Sequence, residues 1–371
     1  MNILAHQQDR AWIEINKAAL LHNLKQLENA ADGSKIMAVV KDRFYGMGLE
    51  AVLILQSVGV DHFAVATIDE ALQLRFIGVN KPILILGATA EERFIELHHY
   101  DLIQSLVTPT LCDQLIEFTE THKLPIQVHI KINTGMNRLG LPAMTEKDKE
   151  DLVHYYTHPY LKVRGTFTHL LASDQFDKRG DQMCRLQLER FDQVLAFLKE
   201  QNLPIGHTHV FNSSGIERYG KEFRFDYCRP GLYFAGTKAF PGYRNSFSLK
   251  ARIAMIKALL PDDQIGYGYE NTIKRPTKVA TISIGYGDGL QRRLPGVGYQ
   301  VFANRKACPI LGRICMDLLM IDVSHVPEIA VGDPVTFIGD AFILEDMARL
   351  LGTIPNEVMT QFTSRLPRIV V

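Results

Sequence analysis

The sequence lacks three features that would place it in a specialised class of proteins. Its five cysteines form no CxxC pair, which argues against a disulfide framework and a zinc-ribbon site. Its 41 Lys and Arg residues balance 41 Asp and Glu residues, whereas nucleic acids and anionic membrane surfaces attract a basic excess. No apolar run approaches the ~18 residues that cross a bilayer. We therefore expect no nucleic-acid partner, no membrane segment and no metal site.

The beginning of the chain shows no targeting signal either. Its first twelve residues include Asp9 and contain no continuous apolar stretch, unlike a signal peptide. An odd number of cysteines without a CxxC pair favours a reducing compartment. We therefore expect a cytoplasmic protein.

What the sequence does contain is a regular alternation of short apolar runs and longer amphipathic ones. The chain has 371 residues, of which 46% are hydrophobic, enough for a large core. Eight apolar runs each lead into a helical pattern, which favours a closed (β/α)8 barrel over an open sheet. They cover residues 36–40, 63–66, 83–86, 102–107, 126–132, 163–168, 208–210 and 225–229. We predict an α/β protein whose N-terminal TIM-like barrel spans residues 10–244.

The pattern changes after Pro241 and Gly242. From there on, β-rich runs are separated by Gly and Pro, with little helical spacing between them. We predict a mainly β domain over residues 245–371, with residues 1–9 packing against it.

Chemistry in a parallel barrel collects at the carboxyl ends of the strands. Each residue there has an ordinary structural explanation, such as a solvated strand end, a buried imidazole or a helix cap. Together, at one end of a barrel, they point to one site. They are Lys41, Lys131, Asn133, Arg138, His169, Asn212, Ser213, Arg229 and Gly231.

A lysine at the mouth of a barrel suggests pyridoxal phosphate, which is held through a lysine amine. Ser213, a tyrosine hydroxyl and the backbone at Gly231 and Leu232 could donate to the phosphate. An arginine beside the pyridine nitrogen would leave that nitrogen unprotonated and weaken the electron sink. This arrangement suits a reaction that only removes and returns a proton.

The sequence resembles the alanine racemases over essentially its whole length and in the same order. The attachment segment is Met37 to Lys41, followed by Tyr45, Gly46 and Gly48. The other matching segments are residues 131–140, 168–169, 212–213, 229–233, 266–268, 285–289, 312–317, 356–358 and 364–368. Single segments of this kind are weak indicators, but their ordered set is specific.

The resemblance implies a role for each matching residue. Lys41 would hold pyridoxal phosphate and act as base on one face of the substrate, and Tyr267 from the neighbouring subunit of a homodimer would act on the other. Phosphate binding would fall to Tyr45, Ser213, Gly231 and Leu232, beside Asn212, and Arg229 and His169 would contact the cofactor ring. Arg138 and Met316 would bind the substrate, and Tyr286 would line the access channel. Lys131 matches the family position that can be carbamylated.

Three departures from the family pattern stand out. Asp42, Arg43 and Phe44 replace the usual Ala-Asn-Ala run, and Met47 stands between the glycines. Asn133 replaces an aspartate. Asn356 occupies the position of a tyrosine that crowds the substrate side chain, and it brings both a donor and an acceptor. This last change is similar to the serine/alanine racemases associated with glycopeptide resistance, so we expect serine as a substrate beside alanine. As a local alternative, Asn356 would cap a helix that begins after Pro355.

Three other functions stay open on the sequence. One is a racemase for basic amino acids, and another is an amino-acid decarboxylase of similar architecture. Such decarboxylases usually pair the pyridine nitrogen with a carboxylate, so Arg229 argues against this one. The third is a non-catalytic cofactor-binding protein built on a lone barrel, which the presence of Tyr267 and a second domain disfavours.

Overall fold

The computed structural model describes residues 9–269, 271–341 and 343–371. The predicted packing of residues 1–9 against the β domain therefore falls, up to residue 8, outside the described residues. In chain order the strands are β1 (Ala11–Ile15), β2 (Lys35–Val39), β3 (His62–Val65), β4 (Ile83–Ile85), β5 (Ile103–Leu106), β6 (Ile126–Lys131), β7 (Leu161–Phe167), β8 (His207–His209), β9 (Tyr227–Cys228), β10 (Phe247–Leu259), β11 (Thr277–Ile282), β12 (Gln300–Ala303), β13 (Lys306–Leu311), β14 (Leu319–Asp322), β15 (Pro334–Ile338) and β16 (Arg368–Val370).

Helices connect most of the strands in the first two thirds of the chain. The α-helices are Lys17–Ala30, Leu49–Ser57, Ile68–Phe76, Phe94–His99, Pro109–His122, Glu146–Thr157, Lys178–Glu200, Ser213–Tyr219, Leu344–Leu351 and Pro355–Thr360. Several begin at side-chain caps, for example Thr67 and Asp177, which accept hydrogen bonds from the first turn. None of the helices in the described part of the chain is long and apolar enough to cross a membrane.

The chain divides into two compact units. One, which we call the barrel unit, comprises Leu24–Phe44 and Val52–Tyr233. The other, which we call the sheet unit, comprises Tyr45–Ala51, Phe234–Val371 and the segment up to Asn23, described from residue 9. The domain bounds at residues 244 and 245 stay a prediction.

The barrel unit confirms the predicted closed barrel. Strands β2 to β9 pair in sequence order, all in parallel, and β9 closes onto β2. Helices follow the strands and cover the outside, as in TIM-like folds. The carboxyl ends of all eight strands therefore lie at one mouth.

Histidines fill part of the barrel interior. The rings of His62 on β3 and His129 on β6 lie 6.0 Å apart, and those of His129 and His209 on β8 lie 4.9 Å apart. Side chains from strands that are not neighbours can meet only inside the barrel. Branched aliphatic residues dominate such interiors, so this polar column is unusual.

The sheet unit confirms the predicted β architecture. Its eight-stranded sheet has the order β11-β14-β13-β12-β15-β10-β1-β16, and the described strands pair antiparallel except β1 with β16. Two helices, Leu344–Leu351 and Pro355–Thr360, follow the β-rich runs. The first was not predicted, and the second was considered only in the alternative that Asn356 caps a helix. Helices of eight and six residues are too short for periodicity alone to identify.

Candidate functional site

The segment after β2 carries Lys41 into an uncommon backbone conformation. Asp42, Arg43, Phe44 and Tyr45 all have positive φ, between 49° and 57°. Left-handed geometry costs a non-glycine residue about 1–2 kcal/mol, and such backbone clusters at functional sites. The turn is held from both sides: Phe44 is fully buried, and the backbone N–H of Asp42 donates to the Glu70 carboxylate at 2.6 Å.

Lys41 lies among other charged groups of the barrel unit. Burial, and then the positive charge of Arg138, lowers the pKa of the Lys41 amine from its usual value. Glu70 and Asp42 oppose this shift more weakly. A lowered pKa gives a larger fraction of neutral amine, which is the form that attacks a carbonyl and accepts a proton.

Arg229, directly after β9, is the most buried cation at the mouth, with 4% of its surface exposed. Its guanidinium donates to Nδ1 of His209 at 2.7 Å and to Nδ1 of His169 at 3.1 Å. It also donates to the carbonyl oxygens of Thr168 and Val210, both at 2.8 Å. Among the described residues no carboxylate pairs with it, and burial lowers its pKa to about 9, so it is still charged at neutral pH.

The hydrogen bond from Arg229 fixes the protonation of His169. Burial, followed by the charges of Arg229 and Arg138, holds the pKa of His169 well below its usual range, so its ring is neutral. Because an arginine can only donate, Nδ1 of His169 must carry a lone pair. The proton of His169 is therefore on Nε2.

Lys131, the last residue of β6, is a second lysine at the mouth. It is 6% exposed and lies over the ring of Phe167 at 5.9 Å. Within the described part of the chain no acid or hydrogen-bond acceptor pairs with it. Burial, with help from Arg138 and Arg229, lowers the pKa of Lys131 to about 8.

Asn133 shapes the loop between Lys131 and Arg138. Its side-chain oxygen accepts from the backbone N–H groups of Gly135 and Asn137, and its amide donates to Asn137 Oδ1. An aspartate could accept the same two backbone bonds but could not donate the third. The guanidinium of Arg138 is exposed, and no described acid pairs with it.

Two loops meet beside the barrel mouth at Ser213. Asn212 caps helix Ser213–Tyr219 by accepting from Gly215, which is the ordinary role that the sequence allowed for it. The Ser213 hydroxyl accepts the backbone N–H of Gly231 at 3.1 Å, and Leu232 begins the next helical turn. The structure thus brings the predicted phosphate-binding residues of the barrel unit together.

The barrel mouth suits an anionic, carbonyl-bearing ligand. The mouth carries four cations that are close enough to lower the pKa of at least one neighbouring lysine or of His169. They are Lys41, Lys131, Arg138 and Arg229. A buried guanidinium whose described acceptors are all neutral favours a nearby anion. A phosphate group, a carboxylate and an aldehyde able to react with an amine all match these side chains, so the residues fit pyridoxal phosphate.

Three further predicted site residues, Tyr267, Tyr286 and Met316, belong to the sheet unit and are solvent-exposed in a single chain. Tyr267, between Gly266 and Gly268 in the loop joining β10 and β11, is 67% exposed. Tyr286 and Met316 lie on neighbouring segments, because the N–H of Tyr286 donates to the carbonyl of Cys315 and that of Gly287 to Met316. The backbones of these two segments can approach to hydrogen-bonding distance only because residue 285 is glycine. A Cβ at that position would lie 2.3 Å from the Cys315 carbonyl oxygen.

Asn356 lies in the first turn of helix Pro355–Thr360. The residue that caps this helix is Ile354, so the alternative that Asn356 is the cap is wrong, because Pro355 is already inside the helix. The side-chain amide of Asn356 is half-buried and has no hydrogen-bond partner among the residues that the structure describes. It is therefore available to a ligand.

Sequence reasoning missed His209 and His129, which support Arg229 from inside the barrel. For His129 the available signal was its position two residues before Lys131, whereas His209, three residues before Asn212, gave no such signal. Side chains two residues apart on a strand share a face, so a histidine two before a mouth residue lies one layer deeper.

Two family models match this chain. One, described as the N-terminal domain of alanine racemases, covers residues 15–239. The other, described as the C-terminal domain, covers residues 246–370.

Individual relatives agree with these matches. The serine/alanine racemase of Enterococcus gallinarum is 34% identical over 96% of this chain, and the chain spans about half of that protein, 51% of its length. The alanine racemase of Clostridium tetani is 31% identical over 97% of this chain and 95% of its own length.

Solved structures are similar over nearly the whole chain. An alanine racemase of Clostridium difficile 630 has a TM-score of 0.90 at 28% identity, covering 98% of this chain and 96% of its own. An alanine racemase of Bartonella henselae with covalently bound pyridoxal phosphate has a TM-score of 0.85 at 27% identity, covering 98% and 100%.

Proposed function

Since the chain belongs to the alanine racemase family, an isomerase family that depends on pyridoxal phosphate, we propose that it interconverts the L and D forms of alanine and of serine, with Lys41 and Tyr267 as the two bases. Racemisation removes the Cα proton on one face and returns a proton on the other. One base for each face is the minimal arrangement.

The residues of the barrel mouth hold the cofactor in this proposal. Lys41 binds it covalently, Arg229 donates to its ring nitrogen, and Tyr45, Ser213 and the backbone at Gly231 and Leu232 bind its phosphate, with Asn212 fixing Ser213. Pyridoxal phosphate, when bound, supplies the electron-withdrawing ring that makes the Cα proton of an amino acid removable. The cluster of cations with neutral acceptors at this mouth supports the assignment.

Lys41 moves the proton on one face of Cα. The lowered pKa of its amine supports this role, because a neutral amine can accept a proton near neutral pH. His169, whose proton is on Nε2, can donate a hydrogen bond from that atom. Such a donor would stabilise a phenolate and so help Tyr267 act as a base.

A second copy of the chain supplies Tyr267. In a single chain Tyr267 is 67% exposed and Met316 is 54% exposed. Large exposed apolar residues grouped in one unit are typical of an association surface. We propose a homodimer in which Tyr267 and Met316 complete the partner's site and Tyr286 lines its access channel.

Asn356 is the observation that carries the choice of serine. Its half-buried amide has no partner among the described residues, and it offers a donor and an acceptor to a substrate hydroxyl. Alanine needs neither.

Lys131 is proposed to be carbamylated. A lysine with a pKa of about 8 is partly neutral at physiological pH and can react with carbon dioxide. The negative charge so formed would pair with Arg138, for which no described residue provides an acid, and orient it toward the substrate carboxylate. Arg138 would then bind that carboxylate in a two-point geometry.

Turnover assays separate this function from the alternatives. The purified protein is incubated with L-alanine, L-serine or L-lysine in deuterium oxide, and D-enantiomers, Cα deuterium and carbon dioxide are measured. We expect D-alanine and D-serine with deuterium at Cα. Lysine racemisation would instead favour the broad-specificity racemase, carbon dioxide the decarboxylase, and no exchange at all a binding protein. Borohydride reduction should leave a cofactor adduct on Lys41.

A further inference from the structure

A hydrogen-bonded chain of side chains runs from Arg229 down into the barrel. Nη1 of Arg229 lies 2.7 Å from Nδ1 of His209, and Nε2 of His209 lies 2.7 Å from Nδ1 of His129. His209 and His129 have no exposed surface. The chain therefore links the barrel mouth to the interior without solvent contact.

The direction of every bond in this chain follows from its first member. An arginine only donates, so Nδ1 of His209 accepts and the proton of a neutral His209 is on Nε2. That proton is donated to Nδ1 of His129, whose own proton is then on Nε2. Burial holds the pKa of both histidines well below the usual range. Both rings are therefore neutral, and each hydrogen bond in the series has only one possible donor.

The barrel is shaped around His129. On the neighbouring strand Gly165 stands opposite it, and a Cβ at Gly165 would lie 2.7 Å from two atoms of the His129 ring. Phe167 stacks on His209 with ring centroids 4.6 Å apart. Both imidazoles are thus held in one orientation.

His129 is costly as a mere space-filler. Its Nε2 is buried and has no hydrogen-bond partner among the described residues, and a buried unpaired polar atom is destabilising. An aliphatic residue would fill the interior without that cost. The other ring nitrogen of His129, Nδ1, accepts the hydrogen bond from His209 and so ends the series of bonds that begins at Arg229.

We propose that His129 is a positioning residue for the cofactor: by accepting from His209 it fixes the ring and tautomer of His209, and thereby aims the guanidinium of Arg229 at the cofactor's ring nitrogen. This inference rests on the proposed role of Arg229. It assigns a function to a residue that touches neither cofactor nor substrate.

Binding of pyridoxal phosphate and of its 1-deaza analogue tests the proposal. Both compounds carry the aldehyde and the phosphate, so the ratio of their dissociation constants isolates the ring nitrogen. We expect the wild type to prefer pyridoxal phosphate about tenfold or more, as befits a charge-assisted hydrogen bond. His129→Leu should lower this ratio at least threefold. His129→Asn, which places an acceptor near the original Nδ1, should restore it.

His62→Leu is the matched control. His62 is also a buried imidazole inside the barrel, and its ring lies 6.0 Å from that of His129. It takes no part in the hydrogen bonds from Arg229 through His209 to His129, so its loss should leave the ratio of dissociation constants unchanged. A wild type without any preference would refute the role of Arg229 itself. A wild-type preference that survives in His129→Leu would refute the positioning role alone.

Nitrogen-15 NMR of the wild type gives a test that does not depend on a variant folding. The spectra should show His209 and His129 as neutral rings protonated on Nε2, with a coupling across the bond from His209 Nε2 to His129 Nδ1. A proton on Nδ1 of either ring would overturn the proposal.

Discussion

Arg368 donates through Nε to the carbonyl oxygen of Gly46 at 2.9 Å. Its other nitrogens donate to the carbonyl oxygens of Phe362, Thr363 and Leu366 at 2.6–2.9 Å. One side chain of β16 thus ties the segment that begins with Tyr45 to the turn that follows helix Pro355–Thr360. The two joined segments carry Tyr45, the predicted phosphate ligand, and Asn356, the proposed specificity residue.

Replacing Arg368 should loosen this connection. We expect Arg368→Gln to lower the free energy of unfolding by about 2–4 kcal/mol, since several hydrogen bonds from a charged group to carbonyl oxygens are lost. It should also weaken cofactor binding. Denaturant unfolding and cofactor titration measure both effects. Arg349→Gln, on a side chain that is 69% exposed, is the control and should change stability by less than about 0.5 kcal/mol.

The role of Asn356 predicts a change in substrate preference. Asn356→Tyr should lower kcat/KM for serine at least about tenfold relative to alanine, because the hydroxyl loses its partner and the ring occupies its space. Steady-state assays with both substrates measure the ratio. Glu357→Gln, on the exposed side of the same helix, should leave the ratio unchanged. Equal losses for serine and alanine in Asn356→Tyr would contradict the proposed specificity.

Loss of the Tyr267 hydroxyl should separate cofactor binding from proton transfer. Tyr267→Phe should bind pyridoxal phosphate normally but racemise alanine about 10²–10⁴-fold more slowly, as is typical when a general base is removed. One enantiomer should still exchange its Cα hydrogen with deuterium oxide through Lys41. Its neighbour provides a control: Tyr269→Phe, on an 89% exposed ring, should behave as the wild type. Equally slow exchange of both enantiomers would argue against two separate bases.

The low pKa of Lys131 makes stability depend on pH. Its pKa falls from 10.5 to about 8 on folding, so between these values the unfolded chain binds more protons and stability rises with pH. Below pH 8 the charged lysine costs about 3 kcal/mol. In buffer freed of carbon dioxide, Lys131→Met should therefore be more stable than the wild type below pH 8, and the gain should vanish toward pH 10.5.

Bicarbonate extends this measurement to carbamylation. It should stabilise the wild type and leave Lys131→Met unaffected, because only the lysine can form a carbamate. Lys35→Met, at an exposed lysine in the same barrel, keeps Lys131 and should respond to pH and bicarbonate as the wild type does. If bicarbonate stabilised all three proteins alike, the effect would be one of salt and not of Lys131.

The sequence was informative wherever a feature is local. Each barrel strand is a short apolar run, and Lys131 and Arg229 follow from where such runs end, because chain direction alone decides which residue reaches the mouth. The short helix Leu344–Leu351 was missed because it has too few turns for a period to emerge.

The tertiary structure alone decided which side chains meet. The contact between Arg229 and His209 spans 20 residues and that between His209 and His129 spans 80, and no local pattern encodes such separations. The same is true of the left-handed turn at residues 42–45, which packing of Phe44 and a hydrogen bond to Glu70 hold against the intrinsic preference of these residues. Composition and periodicity thus predicted the eight barrel strands and a later β-rich region, whereas closure of the barrel determined the directions of its hydrogen bonds and the charges of its buried groups.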